Sequence, residues 1–182
     1  MFALTPRLSL RPGWPEDAPE LARAIGHEAV VTRLSRVPWP YREADAAWFL
    51  SHPRGPEEPV FLVAERASGR IVGGIGIHDD ENGAAKLGYW LTPDAWGRGY
   101  ATEAGRAVIA IARDALRLPR LQGRYMVGND ASARVLGKLG FRPTGRTVNL
   151  PCRALGGEVD AVEMTLELDD ARSRDGPLPL AA

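Results

Sequence analysis

Strand-like hydrophobic runs occupy the middle of the chain. Three of them, PVFLVAER, RIVGGIGIH and AAKLGYWL, lie between residues 59 and 91 and are separated by turns. Short apolar runs with β-branched residues, bounded by turn residues, are typical of strands. We therefore predict an antiparallel meander. A short half-buried strand should precede it at RLSLR, residues 7–11, where apolar and polar positions alternate.

Helical spacing of apolar residues marks four other segments. ELARAI, which follows Asp17, and EADAAWFL predict the first two helices. ATEAGRAVIAIARDAL is rich in alanine and keeps its apolar residues on one face, so it predicts the longest helix. Asn129 is placed to cap a fourth helix that Gly140 ends.

Three further strands are predicted near LQGRYMV, FRPTG and DAVEMTLEL. The resulting order, βααβββαβαββ, indicates an α/β (α+β) fold: a mixed, mostly antiparallel sheet of about seven strands with helices on both faces. The 182 residues suffice for one sizeable core. We expect a single domain over residues 1–168 and a flexible C-terminal tail over residues 169–182, which are polar and contain proline.

Composition narrows the function classes. Lys and Arg number 23, and Asp and Glu also number 23, so no net positive field favours nucleic acid or anionic lipid. Arginines and prolines interrupt the N-terminal segment where a signal peptide would be apolar, and no run approaches membrane-spanning length. Cys152 is the only cysteine, which excludes an internal disulfide and leaves no metal-ligand spacing. We expect a cytoplasmic protein with no nucleic-acid partner, no membrane partner and no metal.

The segment with the clearest chemical signature joins the third strand of the meander to the longest helix. In it, Gly97 and Gly99 flank Arg98. The free N–H groups of a helix N-terminus can bind a phosphate or pyrophosphate, and glycines allow its close approach. A triphosphate loop would need Lys-Ser/Thr after the glycines, and a dinucleotide motif would need glycine in place of Thr102. The alternative is a tight turn without a ligand.

These residues resemble the acyl-CoA loop, Q/R-x-x-G-x-G/A, of the GNAT acyltransferase superfamily. The matching residues are Trp96, Gly97, Arg98, Gly99, Tyr100 and Ala101. Tryptophan in the first position is usual in the ribosomal-protein N-terminal acetyltransferase (RimJ/RimL-like) branch. A second segment, NDASARVLGKLGF, is similar to the family's N-x-x-A/S-x-x-x-x-x-K-x-G-F pattern. The resemblance extends from RLSLRP through VPWPY to about residue 168.

The resemblance implies a GNAT-like fold with acetyl-CoA as the cosubstrate and no metal. The backbone N–H groups of residues 97–102 would hold the CoA pyrophosphate, with Arg98 as the phosphate-binding cation. Trp90 and Leu91 would also contact acetyl-CoA, and the Leu91 N–H would bond the thioester carbonyl. Thr102 completes the loop, and Asn129 would contact the pantetheine arm while it caps its helix.

Ser132 is the candidate for assisting the leaving group. In the RimL-like branch, the matching serine is proposed to donate a proton or hydrogen bond to the CoA sulfur. Ser132 lies three residues after Asn129, so a local hydrogen bond at the helix start is an equal alternative. The tyrosine that many superfamily members use for this purpose is replaced here by Leu136.

Several groups are candidates for the base that accepts the amine proton. His78 has a suitable intrinsic pKa, and the acidic residues 79–81 follow it directly. Relatives often carry glutamate where Lys86 stands, which puts a carboxylate from that strand in doubt. Glu103 is interpreted as complementing a helix dipole. Loss of the proton through a chain of ordered waters is a further route.

We interpret the chain as an N-acetyltransferase that moves an acetyl group from acetyl-CoA directly to a primary amine. Trp39, Tyr41 and Tyr89 are the predicted acceptor-binding residues, with core packing as the alternative. The acceptor could be a protein N-terminal amine or a small-molecule amine, such as an aminoglycoside, a polyamine or an amino acid. Another hypothesis is a non-catalytic acyl-CoA-binding sensor or interaction module. Homodimers are common in such folds, so a homodimer is also considered.

Overall fold

The strands and helices are taken from a computed structural model that describes residues 1–55, 58–79 and 83–168. The strands are β1 (Ala3–Leu4), β2 (Leu8–Arg11), β3 (Val60–Glu65), β4 (Ile71–Asp79), β5 (Ala85–Leu91), β6 (Arg120–Met126), β7 (Arg142–Cys152) and β8 (Gly157–Glu167). The α-helices are α1 (Ala18–Ile25), α2 (Glu28–Val31), α3 (Glu43–Ser51), α4 (Tyr100–Ala110) and α5 (Asp130–Lys138). The predicted tail, residues 169–182, and the acidic residues Asp80 and Glu81 lie outside the described residues.

The described strands form one sheet in the order β1-β2-β3-β4-β5-β6-β8-β7. Each neighbouring pair is antiparallel except β5 and β6, which run parallel. The predicted mixed, mostly antiparallel sheet is therefore confirmed. The strand count of about seven is wrong by one, because β1 pairs with β2 over only two residues and is too short to carry a periodicity.

Two other elements differ from the prediction, one by its presence and one by its length. α2 is a single turn of four residues that the sequence pattern misses, because an apolar repeat becomes visible only over a longer stretch. β7, predicted only near FRPTG, extends from Arg142 to Cys152. It is an edge strand with mostly exposed side chains, so no buried face gives it an alternation of apolar and polar residues.

β3 illustrates how the sheet buries both of its faces. Leu62 packs in a cluster with Leu21 of α1 and Ala46 of α3. Its neighbours Phe61 and Val63 belong to a larger cluster that includes side chains of α4 and α5. Because successive side chains of a strand point to opposite faces, α1 and α3 cover one face while α4 and α5 cover the other. The predicted helices on both faces are confirmed.

β5 and β6 pair only at one end. Their parallel register joins Lys86 to Gln122 and Leu87 to Gly123, and the ladder stops there. The remainder of β5, residues 88–91, continues beside β4 alone. The two strands therefore diverge toward their C-terminal ends and open a gap in the sheet, on the side from which the chain continues into α4.

Candidate active site

The gap between β5 and β6 exposes a backbone donor of β5. The Thr92 N–H donates to the Val72 carbonyl of β4 at 2.9 Å. Because successive amides of an extended strand point to opposite sides, the Leu91 N–H points away from β4, toward the side from which β6 has diverged. The Leu91 carbonyl is fixed from the loop, since Trp96 Nε1 donates to it at 2.9 Å. An N–H group held in this position can bond the carbonyl oxygen of a ligand.

The glycine-containing loop, residues 96–99, ends at the first turn of α4. Gly97 and Gly99 have φ values of 73° and 79°, in the left-handed region that glycine adopts without strain. Gly99 is the N-cap residue, and no described side chain caps this helix end. The N–H groups of Tyr100, Ala101 and Thr102 therefore lack intrahelical partners and lie at the positive end of the helix dipole. This is the geometry of an anion-binding site.

The Arg98 side chain is held by a carboxylate. Its Nη1 lies 2.8 Å from Glu65 Oε1 of β3, and its guanidinium carbon lies 4.6 Å from the centroid of the Tyr100 ring. The Tyr100 hydroxyl donates to the same Glu65 oxygen at 2.9 Å. This bond, with the positive charge of Arg98, outweighs burial and lowers the pKa of Glu65 below its ordinary value. Arg98, predicted to bind phosphate, therefore already forms an ion pair with Glu65.

Three other cations surround the first turns of α4. Arg7, Arg106 and Lys138 line a cavity of about 800 Å³ together with Gly99 and Thr102. Arg7 and Arg106 are not among the predicted site residues. Arg106 lies four residues after Thr102, on the same face of the helix, and this spacing could have indicated it. Arg7 directly precedes β2, far away in the sequence, and gives no local signal.

Glu103 connects α4 to the N-terminal segment. Its Oε1 accepts from the Thr5 hydroxyl at 2.6 Å and from the Arg7 N–H at 2.9 Å, while Arg7 Nε donates to Oε2 at 2.7 Å. Burial raises the pKa of the Glu103 carboxyl, but the hydrogen bonds from Thr5 and Arg7 outweigh it and leave the pKa below its ordinary value. Arg7 Nη1 also donates to the Arg98 carbonyl at 2.9 Å. This network therefore fixes the backbone of the loop as well as the helix.

Asn129, Ser132 and Tyr89 come together beside the gap. Asn129 Oδ1 accepts from the Ser132 N–H at 3.2 Å, so Asn129 caps α5 as expected. The Tyr89 hydroxyl lies 2.8 Å from Ser132 Oγ, a contact in which either oxygen can be the donor, and 3.3 Å from the Ser132 carbonyl oxygen. Burial raises the pKa of Tyr89 to about 12 although the bond with Ser132 lowers it, so the phenol is protonated at neutral pH. Tyr89, predicted to bind the acceptor, is thus a neighbour of Ser132.

The other predicted aromatic residues occupy different environments. Trp90 points to the opposite face of β5 from Tyr89 and packs against the clusters of α1, α2 and α3. A Cβ at Gly74 would lie 2.6 Å from Trp90 Nε1, so the glycine allows the indole to lie on β4. Tyr41 packs in the same clusters, and burial raises its pKa to about 12. Trp39 is 42% exposed. Tyr41 and Tyr89 therefore pack with different clusters.

The His78 imidazole packs over Gly88 of β5, where no side chain is in the way. A Cβ at Gly88 would be 3.0 Å from His78 Cε1. Burial, followed by the charges of Arg36 and Lys86, lowers the pKa of His78, so the imidazole is neutral at pH 7 and can accept a proton. Gly88 precedes Leu91 by three residues, about 10 Å along an extended strand. A proton released near Leu91 would therefore have to reach His78 through intervening water.

A second cavity, of about 320 Å³, lies at the C-terminal end of β6, on the side of α2. Apolar residues at the end of β6 and in the hairpin between β7 and β8 form its wall with Thr32, Arg33 and Asn129. The Arg33 guanidinium carbon lies 5.2 Å from the centroid of the Trp96 ring, so one wall residue of this cavity contacts the glycine-containing loop. Among the described residues of its wall there is no carboxylate.

Metal-binding clusters and membrane-spanning helices are both absent from residues 1–55, 58–79 and 83–168. Within these ranges, no three His, Cys, Asp or Glu side chains are grouped so that they could hold a metal ion. None of the helices in the same ranges has the length and apolar character needed to cross a bilayer.

One protein family and several known sequences match this chain. The family profile described as an acetyltransferase (GNAT) domain matches residues 7–142. The chain is 35% identical over 80 residues to the putative ribosomal N-acetyltransferase YdaF of Bacillus subtilis, a match that covers 43% of this chain and 44% of YdaF. The chain spans about half the length of the known relatives it matches.

Solved structures share the fold over nearly the whole chain. A putative ribosomal-protein-serine acetyltransferase from Vibrio cholerae superposes with a TM-score of 0.75 at 25% identity, and the match covers 92% of this chain and 97% of that one. RimJ of Mycobacterium smegmatis, solved in complex with CoA-disulfide, gives a TM-score of 0.77 at 19% identity, over 96% of this chain and 89% of that one. At 19% identity, the likeness to RimJ establishes the fold alone.

Proposed function

This chain belongs to the GNAT acetyltransferase family, and we propose that it transfers an acetyl group from acetyl-CoA directly to a primary amine, specifically a protein N-terminal amine. The gap between β5 and β6 carries the proposal, because the Leu91 N–H lines it and the glycine-containing loop follows it. A thioester on a long pantetheine arm needs such an opening, and its pyrophosphate needs such a loop. A cytoplasmic location is part of the proposal.

Acetyl-CoA fits the donors and charges around α4. The free N–H groups of the first helical turn would bind the pyrophosphate, and Arg106 would supply positive charge to the phosphates, while Arg7, paired with Glu103, would hold the loop. The pantetheine arm would run between β5 and β6 beside Asn129. This path presents the thioester carbonyl to the Leu91 N–H.

The reaction forms one C–N bond and breaks one C–S bond. The amine attacks the thioester carbon, and the Leu91 N–H would stabilise the charge that builds on the oxygen, an effect typically worth about 10²–10³-fold in kcat. The electron pair of the broken C–S bond goes to sulfur, where the Ser132 hydroxyl would bond the thiolate. The amine proton would pass through water to His78, whose lowered pKa keeps the ring neutral at pH 7.

The second cavity supports a peptide acceptor over a polycation. Its wall contains Arg33 and no described carboxylate, so a polyamine or aminoglycoside would meet positive charge without compensation. A peptide N-terminus brings a single amine, and its first side chains could pack on Val127 and Leu155, which are 63% and 57% exposed. The similarity to a putative ribosomal N-acetyltransferase supports the same acceptor class.

Release of the CoA thiol from acetyl-CoA tests this proposal with purified protein. The acceptors would be peptides with free N-termini, the same peptides with blocked N-termini, a polyamine and an aminoglycoside. We expect thiol release with the free peptides and one added acetyl group on the N-terminal residue in mass spectrometry. The blocked peptides are the matched control because they keep every other group, lysine side chains included.

Two results would contradict the proposal in different ways. Turnover with the polyamine or aminoglycoside but not with peptides would overturn the acceptor class and retain the acetyltransferase activity. Binding of acetyl-CoA, measured by titration calorimetry, without turnover of any amine would favour a non-catalytic sensor.

A further inference from the structure

Tyr89 of β5 contacts Ser132 of α5, the candidate residue for assisting the leaving group. The Tyr89 hydroxyl lies 2.8 Å from Ser132 Oγ, although the two residues are 43 positions apart in the sequence. Leu136, at the position where the resemblance places the family's tyrosine, is fully buried and has no hydroxyl. A phenol is thus present beside Ser132, but it comes from the strand and not from the helix.

We infer that Tyr89 is a positioning residue for the leaving group: its phenol holds the Ser132 hydroxyl so that the serine proton faces the departing CoA sulfur. This inference rests on the proposed function, because it needs acetyl-CoA in the gap. It assigns to Tyr89 a role in thiolate stabilisation that differs from acceptor binding.

Hydrogen-bond capacity supports this orientation. A serine hydroxyl carries one proton and two acceptor sites. The Tyr89 phenol has one proton and two acceptors within reach, Ser132 Oγ at 2.8 Å and the Ser132 carbonyl oxygen at 3.3 Å, and the shorter contact makes Oγ the main acceptor. The serine proton is then left for another acceptor. The Ser132 N–H is already bound to Asn129 Oδ1 at 3.2 Å, which fixes the backbone from which the hydroxyl projects. Two contacts therefore set the position of Ser132, and one donor stays available.

The position of Tyr89 along β5 fits the dimensions of a thioester. Tyr89 and Leu91 are alternate residues of the strand, so their side chains share a face and their Cα atoms lie about 7 Å apart. Both pack with the cluster formed around α4 and α5. The Leu91 N–H and the Ser132 hydroxyl would therefore flank a bound thioester group, whose carbonyl oxygen and sulfur are attached to the same carbon.

The electron and proton balance is simple. The C–S bond breaks, its electron pair stays on sulfur, and the Ser132 O–H donates a hydrogen bond to the thiolate. The Tyr89 proton remains on the phenol, since burial raises the pKa of this group to about 12. The thiolate later takes its proton from solvent. Hydrogen bonds to a charged acceptor are roughly twice as strong as neutral ones. The hydrogen bond from Ser132 to sulfur is therefore strongest once the thiolate has formed.

The test measures the ionisation of bound CoA and needs no acceptor. The thiolate absorbs ultraviolet light, so the thiol pKa of CoA bound to wild type and to Tyr89→Phe can be titrated directly. We expect this pKa to be about one unit lower in wild type than in Tyr89→Phe, a tenfold difference in ionisation. Tyr125→Phe is the matched control: it removes a phenol hydroxyl from β6, where Tyr125 packs against the same cluster, and should leave the thiol pKa unchanged.

Kinetics with an acceptor peptide provide the second measurement. Tyr89→Phe should lower kcat roughly tenfold and Ser132→Ala roughly a hundredfold, with the KM and Kd for acetyl-CoA within about twofold of wild type. The double variant should be no slower than Ser132→Ala, because the phenol acts through the serine. Equal thiol pKa values in wild type and Tyr89→Phe, or effects that multiply in the double variant, would overturn the inference alone. Failure of the folded wild type to bind CoA would overturn the proposed function and this inference with it.

Discussion

At the scale of single residues, Ser132 combines a role in the fold with a place beside the gap. The cap of α5 uses its N–H, which donates to Asn129 Oδ1 at 3.2 Å. The hydroxyl is left to the contact with Tyr89 at 2.8 Å. Sequence reasoning treats capping and leaving-group chemistry as alternatives for this serine. Because different atoms make the two contacts, the same residue can serve both purposes.

His78 makes the pH dependence of the reaction a test of the base. Burial, followed by the charges of Arg36 and Lys86, lowers its pKa below 6.5, while the nearby carboxylates of Glu58 and Asp79 oppose the shift. The neutral ring, which accepts a proton, is therefore lost only as the pH falls through the lowered value. We expect kcat/KM to decline below pH 6.5 and His78→Gln to remove this acid limb, with a loss of roughly 10²-fold at neutral pH.

His52→Gln is the control for this profile, because His52 ends α3 and stacks with Trp48 at 4.9 Å between ring centroids. Both variants are assayed with the same acceptor peptide, so the ionisation of its amine contributes equally to both curves. An acid limb that persists unchanged in His78→Gln would assign the proton to another group or to water alone.

Local sequence predicts those parts of the site that are themselves local. The loop around Gly99 is one continuous segment that ends in a helix, so its glycines indicate free N–H groups. Asn129 likewise precedes the helix that it caps. The contact between Tyr89 and Ser132 and the approach of Arg7 to α4 are different, because they depend on the order of strands in the sheet. Hydrophobic periodicity specifies which side chains share a face but not which strands become neighbours.

At the scale of elements, the junction between the loop and α4 makes a specific prediction. Gly99 has a φ of 79° and adjoins the free N–H groups of the helix. In Gly99→Val, the branched side chain disfavours this backbone conformation and lies where the pyrophosphate would approach. We expect titration calorimetry to give a Kd for acetyl-CoA that is weaker by at least about tenfold, which corresponds to ~1.4 kcal/mol.

Gly145→Val separates backbone strain from ligand binding. Gly145 lies in the edge strand β7 with a φ of 80°, and a Cβ there would have no neighbour within 4 Å among the described residues. Both variants should therefore lose similar amounts of thermal stability, whereas only Gly99→Val should lose affinity. Undiminished binding by a folded Gly99→Val protein would show that the loop does not hold the pyrophosphate.

The elements that sequence predicts best are those with a buried face. β3, β4 and β5 pack against helices, and their apolar runs are evident in the sequence. β7 has a mostly exposed surface, so only a small part of it is recognisable. α2 contributes Val30 and Val31 to a small cluster, but its single turn is too short for a helical repeat. Burial along a sufficient length is therefore what makes an element visible in the sequence.

At the scale of the whole molecule, the candidate site follows from the one parallel pair of the described sheet. The chain leaves β5, forms α4 and returns as β6 in the same direction, so the C-terminal ends of both strands lie on the same side. Open sheets of α/β proteins bind ligands in crevices at such strand ends. The first cavity lies where the loop that follows β5 enters α4, and the second lies at the C-terminal end of β6.

The charge of the second cavity should influence which amine is accepted. Arg33 lines this cavity and contacts Trp96 of the loop. Arg33→Glu replaces a positive charge by a negative one, so we expect kcat/KM for a polyamine to rise relative to that for an acceptor peptide, by about three- to tenfold at low ionic strength. Because Arg33 is exposed, the effect should shrink near 0.15 M salt, where the Debye length is about 8 Å.

Arg23→Glu distinguishes the field of the cavity from the charge of the whole protein. Arg23 is an exposed residue of α1 and does not line the cavity, so its replacement changes the net charge by the same amount. We expect the ratio of the two kcat/KM values to change in Arg33→Glu and to stay near that of wild type in Arg23→Glu. If both variants changed it equally, long-range attraction would explain the preference and the second cavity would not be the acceptor site. If only Arg33→Glu changed the ratio, the acceptor would pass this cavity before it reaches the gap.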